Sequence, residues 1–135
     1  MDRWRDIRRQ VKRTFVPGIK SMEKLTGVRY GLEISGLGKR FDTVIDCGLF
    51  HVFSDDERPL YVEGLSLVLV PGGTFRMLCF SEMEPGDWGP RRVTRREIRE
   101  AFDRGWRVGS IREARFETNL GPDGCRACPS SITRE

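Results

Sequence analysis

Two apolar runs flanking a helix-length segment constrain this chain more than any other feature. FDTVID (41–46) is apolar on both faces at Val44 and Ile45, as a strand buried within a parallel sheet should be. TFRMLCF (74–80) is expected to be the next strand. Between them, Leu60, Tyr61, Leu65 and Val68 carry the apolar face of a helix, with Ser54, Asp55 and Asp56 as candidate N-caps. Pro59 is harmless only in a first turn, which puts the start near Asp55 or Asp56. Pro71-Gly72-Gly73 then stops the helix.

Further along, Thr94 and Glu97 form a capping box, across which Val93 can staple to Ile98. Ile98, Ala101 and Phe102 give that helix its buried face, and Gly105 its stop. Residues 106–117 predict a long strand broken by Gly109, and the turn GPDG (121–124) leads to a last short strand ending near Ile132. Upstream, VRYGLEI (28–34) predicts a short strand. Residues 2–16 predict a helix with Trp4, Ile7, Val11 and Phe15 in one narrow stripe, ended by Pro17-Gly18. This order describes an open α/β sheet with a C-terminal antiparallel hairpin. Ligands of such sheets bind beyond the C-terminal ends of the parallel strands, which here means residues 46–53 and 80–92. The loop SEMEPGDWGPRR (81–92) is long for such a connection, and long loops over a strand end are often functional.

The 135 residues are enough for one core without disulfides or metals. Of the net charge of +4, residues 1–20 carry +5 and the remainder −1. The basic excess therefore belongs to one terminal segment, which speaks against a nucleic-acid-binding domain. Residues 1–27 are read as a basic amphipathic helix and linker, and 28–135 as the domain proper. The stripe is expected to pack on the domain while its arginines stay solvated; four apolar residues are too few for strong membrane insertion. No run approaches the ~20 apolar residues that span a bilayer, and no apolar signal region opens the chain. A cytoplasmic protein is expected, with Cys47, Cys79, Cys125 and Cys128 as reduced thiols.

His51 is the only histidine. As a catalytic candidate it could take a proton from an oxygen or nitrogen acceptor; the plainer alternative is a structural residue of the pocket. Cys47, beside Gly48, is better read as a packing thiol than as a nucleophile. Cys125-Arg126-Ala127-Cys128 is a single C-x-x-C without the second half of a zinc pattern, so no metal is expected. Arg91-Arg92 and Arg95-Arg96 cluster at a helix start, where positive charge opposes the helix dipole. That conflict favours a role for Arg91 or Arg92 in binding an anionic acceptor.

The strings FDTVIDCGLFHVF (41–53), LVPGGTF (69–75), LCFSEMEPGDWGPRRVTRREI (78–98) and GWRVGSIREARFETN (105–119) together resemble the second half of class I S-adenosylmethionine-dependent methyltransferases. The bacterial thiopurine-methyltransferase-like group is the nearest likeness. The resemblance covers residues 38–135 and implies a truncated Rossmann-like methyltransferase sheet with S-adenosylmethionine as cofactor and a small-molecule methyl acceptor. It places Asp46, Cys47, Gly48, Leu49 and Phe50 at the cofactor, and Trp88, Arg91 and Arg92 at the acceptor. The family's first half is missing from the likeness: its glycine-rich G-x-G-x-G turn and the acidic residue ending its second strand have no counterpart. Gly36-Leu37-Gly38 leads into a strand, not a helix, and cannot serve as that turn. The expectation is therefore an incomplete cofactor site with weak or no independent activity. The alternative is a non-enzymatic interaction module, or a homodimer, formed through the exposed edge of the 41–46 strand. A further possibility is that residues 1–27 are not native to the fold.

Overall fold

The structure, a computed structural model, describes Ile34, residues 38–118 and residues 122–135. The expected helix over 2–16, the boundary at residue 27 and all but the last residue of the 28–34 strand lie outside the described residues. Five strands and two helices follow in the order β1 (Phe41–Cys47), α1 (Glu57–Val68), β2 (Leu69–Phe80), α2 (Arg95–Ala101), β3 (Trp106–Ile111), β4 (Ala114–Phe116) and β5 (Cys125–Arg134). They form one sheet ordered β1-β2-β5-β3, with β4 also on β5. β1 and β2 are parallel, while β5 runs antiparallel to β2, β3 and β4. Among the described residues β1 pairs on one side only. The α/β sheet with a terminal antiparallel segment is as the sequence implies.

The crossover from β1 to β2 is made by α1. Its start is secured by a reciprocal pair: the Glu57 N–H donates to Ser54 Oγ at 3.3 Å and the Ser54 N–H to Glu57 Oε2 at 2.8 Å. This is the capping-box logic with Ser54, not Asp55 or Asp56, supplying the oxygen. Pro59 falls in the first turn, where its missing N–H has no intrahelical partner to lose. α1 then passes into β2 at Leu69 without a loop, and Pro71-Gly72-Gly73 lies inside the strand. The register slips there, from Phe41 opposite Leu69 to Thr43 opposite Thr74, so the three residues bulge from the ladder.

α2 carries the full capping box: Thr94 accepts from the Glu97 N–H at 3.0 Å, and Glu97 Oε2 accepts from the Thr94 N–H at 2.7 Å. The helix ends at Ala101, and Gly105, at φ +80, turns the chain into β3. The expected single strand over 106–117 is two strands separated at residues 112–113. Gly109 lies where the β3 register slips, close against the Ser131 carbonyl, and does not itself break the strand.

The expected short last strand is instead the ten-residue middle of the sheet. It buries Cys125, Ala127, Cys128 and Ile132. The core is closed by Phe50, Tyr61, Leu65, Phe75, Phe102 and Ile132. Phe102 stands 5.9 Å from the Phe50 ring and 5.5 Å from the Phe75 ring, and each such ring contributes on the order of 1.5–3 kcal/mol by leaving water. Among the described residues no helix is long and apolar enough to cross a membrane.

Candidate functional site at the parallel strand ends

β1 and β2 are parallel, so their C-terminal ends lie together, with Cys47 opposite Leu78. The chain leaves β1 through Gly48, at φ +88, whose N–H donates to the Leu78 carbonyl at 2.9 Å. A short 3-10 turn, Phe50–Val52, follows. Asp46 fixes this corner: Oδ1 accepts from the Leu49 N–H at 2.7 Å, and Oδ2 accepts from the Phe50 N–H and the Tyr61 hydroxyl at 3.0 Å each. The carboxyl is buried, and burial raises its pKa to about 6 against the lowering pull of the three hydrogen bonds. Both oxygens of Asp46 are thus spent on holding the turn. Phe50 is fully buried in the core. Of the five residues expected at the cofactor, Cys47, Gly48 and Leu49 are the ones that present surface.

His51 is pinned to the neighbouring strand. Its Nδ1 accepts from the Phe80 N–H at 3.0 Å, and its ring lies 5.2 Å from Phe80 and 6.3 Å from Phe116. Burial first, then the nearby Arg58 cation, lower its pKa to about 4, with partial opposition from a hydrogen bond to the Gly48 backbone. The imidazole is therefore neutral near pH 7, and since Nδ1 is the acceptor its proton resides on Nε2. A ring with its lone pair already engaged takes no proton from an acceptor. His51 braces the two strand ends together; the general-base reading does not fit this geometry.

The loop 81–92 closes over the same corner. Its ends meet where Val93 N–H donates to the Phe80 carbonyl at 2.9 Å, and Ser81 N–H donates to the Arg126 carbonyl at 3.1 Å. Arg92 lies inside the loop. Nε donates to the Glu84 carbonyl at 3.2 Å, Nη1 to Trp88 and Pro90 at 2.7 and 2.8 Å, and Nη2 to Pro85 and Gly86 at 3.1 Å each. A guanidinium has five N–H donors, and all of them are committed here. Arg91 turns the other way, Nη2 standing 2.7 Å from both Asp55 and Glu97, with its pKa raised chiefly by the Asp55 hydrogen bond. The two arginines expected to bind an acceptor instead tie the loop to itself and to the helix starts. Trp88 does present surface, 41% exposed, with its ring edge-to-face on Phe80 at 5.8 Å.

Sequence reasoning missed Tyr61, Phe80 and Phe116. Tyr61 was visible as a core-facing helix position, but its hydroxyl contact lies fifteen residues away at Asp46. Phe80 is buried beneath Trp88 and stands 5.6 Å from the half-buried Phe116, so the three rings form one aromatic cluster of which Trp88 and Phe116 reach the surface, an aromatic wall backed by Phe80. A cleft of 540 Å³ opens elsewhere, between α1 and α2, lined by residues including Arg58, Val62, Glu97 and Trp106. None of the residues expected at the cofactor or acceptor lines it, and the strand ends remain the better candidate.

The C-x-x-C cysteines lie three apart on β5 and so face opposite sides of the sheet. Cys128 instead meets Cys79 directly across the ladder, Sγ to Sγ 3.2 Å, both as thiols. Among the described residues no group of three or more histidine, cysteine or acidic side chains is placed to hold a metal ion.

No family model matches the chain. A 2-heptyl-1-hydroxyquinolin-4(1H)-one methyltransferase of Mycobacteroides abscessus is 30% identical over 108 residues, 76% of this chain and 48% of that protein. The chain thus spans about half the length of this relative. A solved structure concerned with converting a disulfide bond into a thioacetal group during echinomycin biosynthesis matches with TM-score 0.61 and 25% identity, over 78% of this chain and 53% of the other. A SAM-dependent methyltransferase of Methanosarcina mazei also matches with TM-score 0.61, at 14% identity, over 75% and 64%. The described sheet and helices have the fold of part of an S-adenosylmethionine-dependent methyltransferase.

Proposed function

We propose that this chain is the acceptor-side part of an S-adenosylmethionine-dependent methyltransferase of the small-molecule, thiopurine-methyltransferase-like kind, acting on a flat aromatic acceptor. One observation carries the reading. A turn held by Asp46 and a loop held by Arg92 converge at the ends of two parallel strands, joined through His51, Phe80 and Trp88. The relative from Mycobacteroides abscessus, named for a quinolinone, supports an aromatic acceptor, as do the surface-reaching rings of Trp88 and Phe116 backed by the buried Phe80.

The residues present fit one side of the cofactor. Cys47 is exposed, and the corner is turned by a glycine whose φ of +88 disfavours any side chain. The cofactor, when bound, supplies a methyl group already activated on a positively charged sulfur. The protein's work is then alignment, which fixed strand ends and a preformed loop provide. Gly48 and Leu49 would line the cofactor side, and Trp88 the acceptor side. His51 keeps its proton on Nε2, so the acceptor must arrive as a competent nucleophile, by its own acidity or as a soft atom such as sulfur. Among the described residues the corner offers only Cys47, Gly48 and Leu49 to one side of the cofactor, and affinity of these residues for the cofactor is expected to be weak.

Titrating S-adenosylhomocysteine into isotopically labelled protein tests this. Amide shifts confined to residues 47–51 and 80–83, saturating only at millimolar ligand, are expected. No shift at millimolar concentration removes the cofactor site; tight one-to-one binding removes the claim that the site is incomplete.

A further inference from the structure

We infer that Arg92 is a positioning residue: its guanidinium is the template around which residues 84–90 fold, and by fixing that loop it sets the Trp88 face of the acceptor wall. The inference rests on the acceptor-side reading above. Five carbonyl oxygens, those of Glu84, Pro85, Gly86, Trp88 and Pro90, converge on one cation, one for each of its N–H groups. Converging carbonyl dipoles repel one another, and only a cation at their centre makes such an arrangement favourable. The planar fork distributes its donors in fixed directions, so it dictates where each carbonyl must lie.

The remaining contacts reach the wall itself. The Arg92 carbon lies 5.3 Å from the Phe80 ring centre and 5.6 Å from that of Trp88, so the cation holds both rings as well as the backbone beneath them. Gly86 and Gly89, at φ +78 and +73, supply the two reversals that the wrapped path needs. The two prolines among the five contribute acceptors while adding no N–H that would need a partner. A loop so held has its bound shape before any ligand arrives, which removes an ordering cost from binding. Lysine offers a point charge with three donors and cannot reproduce the pattern.

The test uses the full chain labelled with fluorotryptophan, the Trp88 fluorine line being assigned by Trp88→Phe. Arg92→Ala and Arg92→Lys should each shift or broaden that line. Both should also move the carbonyl carbon shifts of Glu84, Pro85, Gly86, Trp88 and Pro90, which lose their donor, while those of β2 and β5 stay in place. Millimolar guanidinium ion should restore the Trp88 line in Arg92→Ala, and tetramethylammonium should not, since it carries charge without donors. Three results overturn the inference: an unchanged Trp88 line and unchanged loop carbonyl shifts in both variants, equal shifts throughout the sheet or loss of the whole fold, or rescue by tetramethylammonium or by neither cation. Adding hydroxyquinoline to the wild type asks the separate question. A Trp88 line that ignores it would sink the aromatic-acceptor reading while leaving the template intact.

Discussion

Acidification pulls on Asp46 and His51 in opposite directions, and single substitutions separate the two. Burial raises the Asp46 pKa from 3.8 to about 6, so between those values the folded chain keeps a proton that the unfolded chain releases. Stability from this group therefore rises as the pH falls. Burial lowers His51 from 6.5 to about 4, so in that window the unfolded chain holds the extra proton and stability falls with the pH. Worked from those values, going from pH 7 to pH 5 adds on the order of 1 kcal/mol through Asp46 and removes on the order of 2 kcal/mol through His51. His51→Gln, whose amide oxygen can still accept from the Phe80 N–H, should become more stable on acidification. Asp46→Asn should lose stability over the same range. Glu97, held below the usual carboxylate range, adds an acid-sensitive contribution common to all three proteins, and it cancels between them. Urea unfolding followed by circular dichroism reads the difference: with a slope of about 1–3 kcal/mol per molar urea, the two variants should diverge by roughly 1–3 M in midpoint between pH 7 and pH 5. Parallel pH profiles for the two variants would refute the assignment of buried, oppositely perturbed groups to this corner.

Two further outcomes follow from the backbone. Gly124→Ala combines φ +62 with a methyl driven into the Phe116 carbonyl, and should cost more than about 2 kcal/mol, whereas Gly72→Ala, at φ +81 with open space around it, should cost about 1 kcal/mol. Melting temperatures decide this, and equal losses would show that the turn before β5 relaxes freely. Thr94→Ala removes one half of the α2 capping box and should cost about 1 kcal/mol in denaturant unfolding; no change would mean that Glu97 alone secures the helix start.

What could be read from the residues was local. The Thr94–Glu97 box, the crossover helix with Pro59 in its first turn and the doubly apolar 41–46 strand all carry their signal within a few positions. Long-range placement did not. β5 (CRACPSSITR) lacks alternation because both its faces are covered, and Pro129 reads as a strand breaker. It is tolerated because on one side it faces residues 112–113, the gap where the pairing of β5 passes from β3 to β4, and Arg112 N–H donates to its carbonyl. Topology alone directed attention to the strand ends, and within them the roles expected of individual residues shifted inward. Asp46, His51 and Arg92 looked like ligand-facing groups by residue type. Their partners are backbone groups of the protein itself, and nothing in a spacing pattern distinguishes a carboxylate that binds a ligand from one that caps a turn.

The central position of β5 bears on how the molecule can be assembled. β2 and β3 are not paired with each other, and the β1–β2 pair meets β3 and β4 only through this late segment. A growing polypeptide that has made everything up to Phe116 owns a parallel pair on one side and an unattached antiparallel arm on the other. Inserting one strand between two waiting edges is a non-local step, and such pairings are expected to form slowly. Until it happens, the edges of β2 and β3 stay open to neighbouring molecules, and the yield of folded protein should depend on how quickly β5 finds its slot.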